Sequence, residues 1–137
     1  MYSFNDISIL LVDDEPEFLD VMLKRLNKRG FTVYTSNTGG DAIQKLRENN
    51  FAIAVLDLKM QDMDGLEILK IFKKMVPELP VVMLTGHGSE EAAREGMALG
   101  AFDYLIKPCD FDNLVQVLNS AMNGDGSTAG EDREGGK

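Results

Sequence analysis

One cysteine, Cys109, and one histidine, His87, are all that 137 residues supply of the side chains most used as soft metal ligands or as nucleophile–base pairs. A lone cysteine forms no internal disulfide and fits a reducing compartment, so the expected location is the cytoplasm. Cys109 itself reads as a small, partly buried residue. Long apolar runs are also missing. The longest, such as Ile7–Val12, fall far short of the roughly 20 residues a membrane span requires. The opening Met-Tyr-Ser-Phe-Asn-Asp has no basic region leading into an apolar core, so no secretory signal is expected. Basic residues are scarce: 14 Lys and Arg against 23 Asp and Glu, a net charge of −9. That balance argues against a nucleic-acid surface, which needs a basic patch to neutralise phosphates. It is compatible with a basic partner protein or a bound cation.

What is present suits one domain with one real core. Five short apolar runs, at 7–12, 31–35, 52–58, 81–85 and 102–106, alternate with segments of helical period. Several of the runs are nearly continuous in Val, Ile and Leu, the pattern of parallel strands covered on both faces. The alternation predicts a doubly wound α/β domain. In the first helix Phe18, Met22 and Leu26, joined by Leu19 and Leu23, form the apolar stripe; Pro16 suits its first turn and Gly30 its C-terminal cap. A second helix is expected over about 40–49, with Ile43 and Leu46 inward. A third is expected over 66–75, with Leu66, Leu69 and Phe72 inward. Ser89 suits the N-cap of a fourth helix containing Gly96. A fifth follows Asp110 or Asp112, with Leu114, Leu118, Ala121 and Met122 on one face. Residues 1–123 therefore read as the folded domain. Residues 124–137, "GDGSTAGEDREGGK", hold too little apolar surface to offset ordering entropy and read as a disordered tail or linker.

Ligands of an open parallel sheet bind beyond the carboxyl ends of its strands. Strand one ends in Asp13-Asp14, strand three in Asp57, strand four in Thr85-Gly86 and strand five in Lys107-Pro108; strand two brings nothing distinctive. Converging carboxylates either titrate upward or hold a cation. Oxygen-only ligands point to a hard divalent ion such as Mg²⁺. Lys107 can pair with one acid when the site is empty, and Thr85 adds a hydroxyl. The set suits a phosphoryl group beside a metal, with an Asp carboxylate as acceptor.

Each residue also has a plainer reading. Asp13 and Asp14 could only cap the first helix, Lys107 could be a solvated charge and Tyr104 a packing residue. Asp57 is not explained by capping, because it ends a different strand. Glu15 and Glu17 read as decoration of the helix start, and "DMDG" at 62–65 as a loop without chemistry.

Taken in order, the residues resemble a response-regulator receiver domain of bacterial two-component signalling, of the chemotaxis-regulator kind. The resemblance rests on Asp13-Asp14 after an apolar strand, Asp57 ending "FAIAVLD", "DMDG", Thr85-Gly86 after "VVML", and "FDYLIKP" at 102–108. It covers about residues 6–122. It implies a flavodoxin-like (βα)5 sandwich with strand order 2-1-3-4-5. It also implies that Asp57 accepts a phosphoryl group from a phosphohistidine of a sensor histidine kinase or histidine phosphotransfer protein. Asp13, Asp14, Asp57 and the backbone carbonyl of Lys59 would hold Mg²⁺, or Mn²⁺ in its place. Lys107 would pair with phosphoryl oxygens, ahead of a cis bond to Pro108. Thr85 and Tyr104 would switch together and alter the surface of the fourth helix, fifth strand and fifth helix. Lys59 and His87 would tune the lifetime of the acyl phosphate. A downstream effector protein or output domain would read the change, in a monomer or a phosphorylation-dependent homodimer. Such a chain is a signalling phosphoacceptor rather than an enzyme.

Two rivals fit less well. An aspartyl-phosphate phosphohydrolase usually has a second Asp two residues after the nucleophile, where this chain has Lys59. A flavodoxin-like mononucleotide binder needs a hydroxyl- and glycine-rich loop after strand one, where this chain has "DDEPE".

Overall fold

A computed structural model describes residues 8–86 and 90–124. His87, the expected cap Ser89, the first-strand residue Ile7 and positions 125–137 of the expected tail lie outside the described residues.

Five strands and five helices alternate: β1 (Ser8–Val12), α1 (Pro16–Lys28), β2 (Thr32–Ser36), α2 (Gly39–Glu48), β3 (Ile53–Asp57), α3 (Gly65–Met75), β4 (Val81–Thr85), α4 (Glu90–Ala98), β5 (Asp103–Ile106) and α5 (Phe111–Met122). The strands form one parallel sheet in the order β2-β1-β3-β4-β5. This is the doubly wound, flavodoxin-like α/β fold. The chain crosses from one half of the sheet to the other between β1 and β3, so their carboxyl ends flank the crevice.

The continuous apolar strands follow from this layering, because successive side chains in a strand point to opposite faces. Ile9, Leu11, Ile53, Val55, Val82, Leu84 and Leu105 pack against α1 and α5. Leu10, Val12, Ala54, Leu56, Val81 and Met83 face the layer that includes α2 and α3. Each central strand is therefore apolar at nearly every position until its polar end.

The helices differ from the expected stripes in detail: Leu23, Ile43 and Met122 are only partly buried, and in α2 Ala42 is buried with Leu46. Leu19, Met22 and Leu26 are the buried residues of α1, whereas Phe18 is half-buried because it sits near the helix start beneath the Lys107 ammonium. In α3, Ile68 is fully buried with Leu69 and Phe72, and Leu66 is only partly so. Gly30 takes φ 97° after α1, a left-handed conformation that glycine adopts without the Cβ clash.

Gly96 lies inside α4, where glycine costs about 1 kcal/mol relative to alanine. Its reason is the sheet below it: a Cβ there would come 2.1 Å from Met83 Sδ. That atom is near the end of a flexible side chain, which can move. Gly96→Ala is therefore expected to change stability by less than about 1 kcal/mol, the helical gain offsetting the displaced Met83. A urea midpoint compared with wild type checks this.

Candidate functional site

The carboxyl ends of β1, β3, β4 and β5 bring several polar side chains together. Asp13, Asp57 and Thr85 are buried, and Asp14 is partly exposed. Asp57 ends β3 and pairs in register with Leu84, so Thr85 lies one residue further along the neighbouring strand. The β1 end is fixed from its other side, because the Asp13 N–H donates to the Ser36 carbonyl at 3.1 Å. Strand two thus contributes a backbone anchor rather than a reactive side chain.

Asp13, Asp14 and Asp57 each offer a carboxylate oxygen, and these oxygens lie within 4.8 Å of one another. Such crowding has an electrostatic cost. Burial pushes the Asp57 carboxyl up to about 6; the Lys59 N–H at 3.1 Å opposes this, Asp13 and Asp14 reinforce it, and Lys107 opposes it. Burial also raises Asp13, against the pull of Lys107 and the Glu15 N–H. Hard oxygen ligands around an unfavourable concentration of negative charge fit a divalent cation such as Mg²⁺. The arrangement therefore fits a cation chemically.

Lys107 supplies the positive charge. Its Nζ lies 2.8 Å from Asp13 Oδ2, 2.8 Å from Glu15 Oε1 and 4.0 Å from Asp57 Oδ2, with the Phe18 ring centre 4.4 Å away. Burial works against the ammonium, but the hydrogen bonds to Asp13 and Glu15 and the charges of Asp13 and Asp57 push it up to about 12. The backbone holds the lysine in place too: Lys107 N–H donates to the Thr85 carbonyl at 2.6 Å, and the Lys107–Pro108 bond is cis. Thr85 Oγ1 is buried and has no hydrogen-bond partner among the described residues. A buried hydroxyl at that end of the sheet is a free donor for an incoming oxygen.

Three acids read from sequence as inert take part in this architecture. Glu15 does not merely decorate α1; it bridges to Lys107. "DMDG" is more than a connecting loop. Asp62 accepts the N–H groups of Gly39 and Gly40 at 2.9 and 3.2 Å, tying the loop after β3 to the start of α2. Asp64 caps α3 through the Leu66 N–H at 2.9 Å. Lys59 and Asp64 close the loop between them as an antiparallel bridge. Lys59 is exposed, and Tyr104 on β5 is partly buried against the α2–α3 layer. A broad surface depression elsewhere, lined by residues such as Arg47, Phe51, Val76 and Met122, includes none of these acids nor Lys107.

The sequence model of the family described as "Response regulator receiver domain" matches residues 9–119. The chain belongs to that family. Among curated receiver-family relatives, the transcriptional regulatory protein ZraR of Escherichia coli K12 is 39% identical over 118 residues, which are 86% of this chain and 27% of ZraR. The chain thus spans about a quarter of the length of such relatives. Solved receiver domains superpose closely. That of Clostridium thermocellum has a TM-score of 0.83 at 33% identity, covering 86% of this chain and 95% of its own. The receiver domain of NtrX from Brucella abortus has 0.81 at 35%, covering 84% and 98%. Among the described residues no helix is long and apolar enough to cross a membrane.

Proposed function

We propose that the chain is a phosphorylation-operated switch whose phosphoacceptor is Asp57. The observation that carries this reading is the convergence of three carboxylates, Lys107 and an unpartnered Thr85 hydroxyl at one end of the sheet. The donor is a phosphohistidine of a sensor histidine kinase or histidine phosphotransfer protein. One Asp57 oxygen attacks phosphorus, the bond from phosphorus to the donor imidazole breaks, and its electron pair leaves with the ring nitrogen. Asp13, Asp14, Asp57 and the Lys59 carbonyl would hold Mg²⁺, or Mn²⁺ in its place. Bound there, the ion would supply charge neutralisation beside the transferring oxygens. Lys107 pairs with a phosphoryl oxygen, and Thr85 donates its hydroxyl to another.

Movement of Thr85 lets Tyr104 turn inward, which alters the surface built by α4, β5 and α5. An effector protein or attached output domain reads that surface; this chain itself contacts neither nucleic acid nor membrane and works in the cytoplasm, as monomer or phosphorylation-dependent homodimer. Lys59, and His87 beyond the described residues, tune the lifetime of the acyl phosphate. The receiver unit is drawn as residues 1–123, in keeping with the end of α5 at Met122. The chain acts on no substrate but its own Asp57.

The test is direct. Incubated with Mg²⁺ and acetyl phosphate, the protein is expected to gain the mass of one phosphoryl group. Asp57→Asn and removal of Mg²⁺ by a chelator are each expected to block that gain. An unmodified wild type under conditions that phosphorylate another receiver domain would refute the reading.

A further inference from the structure

Of the charged groups around Lys107, Glu15 is the one whose geometry the switch does not otherwise use. It occupies the position before α1, where a side chain commonly caps the helix, yet it makes no side-chain cap hydrogen bond. Its own N–H is taken by Asp13 Oδ1 at 2.9 Å. Its carboxylate instead reaches Lys107 Nζ at 2.8 Å, across 92 positions of sequence. Lys107 is thus held by Asp13 and Glu15 while its nearest Asp57 oxygen is 4.0 Å away, beyond a good hydrogen bond.

We propose that Glu15 is a brake on Lys107, holding the ammonium so that a phosphoryl group on Asp57 must compete for it. The proposal deepens the phosphoacceptor reading above and rests on it. Asp13 also holds Lys107, but Asp13 belongs to the carboxylate set that fits the cation, whereas Glu15 competes for the lysine alone. The phosphoryl oxygens and the Glu15 carboxylate are both anions, and one ammonium cannot give either its full set of donors while serving the other. The brake is weak by construction. The Glu15 side chain is 63% exposed, so solvent and salt screen its attraction. It therefore sets how tightly the phosphoryl group is held, not whether transfer occurs.

Glu15→Gln removes the charge at an exposed position, keeps the shape and leaves the helix start alone. Glu17→Gln, an exposed acid in the first turn of the same helix, controls for a general change in field. Two measurements apply: the Mg²⁺-dependent affinity for beryllofluoride, a phosphoryl analogue, by titration calorimetry, and the labelling rate of Lys107 by an amine reagent in the metal-free protein, by mass spectrometry. Glu15→Gln is expected to bind the analogue about threefold more tightly, as befits loss of one exposed ion pair, with the difference shrinking in high salt. Its Lys107 should label faster. Equal affinities and labelling rates for Glu15→Gln and wild type overturn the brake alone. An equal gain in Glu17→Gln overturns it too, since the effect would then be one of net charge. A wild type that takes up neither analogue nor phosphoryl group overturns the phosphoacceptor reading, and the brake with it.

Discussion

Asp57→Asn is expected to stabilise the metal-free protein at neutral pH by up to roughly 3 kcal/mol, even as it removes the proposed phosphoacceptor. The cause is the position of the carboxylate. Asp57 is 5% exposed, and its carboxyl is pushed up from 3.8 to about 6, chiefly by burial. Well below the ordinary 3.8 the group is protonated in folded and unfolded chains alike, and no penalty arises. Between about 4 and 6 the folded chain binds more protons, so stability falls as pH rises. Above about 6 the whole penalty is present. Asp13, raised in the same direction, adds to this decline. The exposed Asp41 and Asp62, both lowered, oppose it and reach their full contribution above the ordinary carboxylate range. Lys107, at about 12, contributes stability that is complete below its ordinary 10.5 and lost only as pH rises through 12, outside this window. Urea unfolding of wild type and Asp57→Asn in chelator, at pH 4 and pH 7.5, checks the claim: the curves should lie close at the lower pH and separate at the higher. Saturating Mg²⁺ should narrow the gap, since a cation bound to the native carboxylates stabilises wild type preferentially. A variant no more stable than wild type at pH 7.5 would mean that Lys59 and Lys107 already compensate the buried charge.

The fold was legible because its signals are local. The ladders of β1, β3 and β4 are apolar at nearly every position and end abruptly in Asp13, Asp57 and Thr85. A parallel sheet brings such ends together whatever the details of its loops. The gathering of Asp13, Asp14, Asp57, Thr85 and Lys107 could therefore be read from strand ends alone. Glu15 and Asp62 could not. Each acts through a side chain or backbone group far away in sequence: Glu15 on Lys107, and Asp62 on Gly39 and Gly40. Nothing in residue spacing distinguishes an acid that faces solvent from one that reaches a neighbouring loop. The one available hint was the excess of acids after β1, more than a helix start needs. Ile68 was missed for a different reason: α3 has apolar residues on more than one side, and only packing shows which are enclosed.

Gly65→Ala is expected to do the most damage to the site for the smallest chemical change. A Cβ at Gly65 would lie 2.5 Å from both Leu58 Cα and Leu58 O. These are backbone atoms, so no rotamer relieves the clash, in contrast to the Met83 side chain beneath Gly96. Leu58 is also pinned, since its N–H donates to the Leu84 carbonyl at 3.0 Å and its own carbonyl accepts from Gly65 N–H at 3.2 Å. Either that last bond opens and α3 moves outward, or the strand end carrying Asp57 shifts. Both routes disturb Lys59, whose N–H bonds Asp57 Oδ1 and whose carbonyl is a proposed cation ligand. The expected cost is about 1–3 kcal/mol of stability, as for other overpacked positions. Mg²⁺ affinity should fall by about 10-fold or more, as when the support behind a metal ligand is lost. Gly40→Ala is the matched control, because a Cβ there meets nothing within 4 Å; it should leave Mg²⁺ binding unchanged. Calorimetric Mg²⁺ titration of the two variants at equal folded fraction separates a local effect on the loop from general unfolding. If Gly65→Ala binds Mg²⁺ as wild type does while folded, the loop after β3 does not position a ligand, and the cation would rest on the three carboxylates alone.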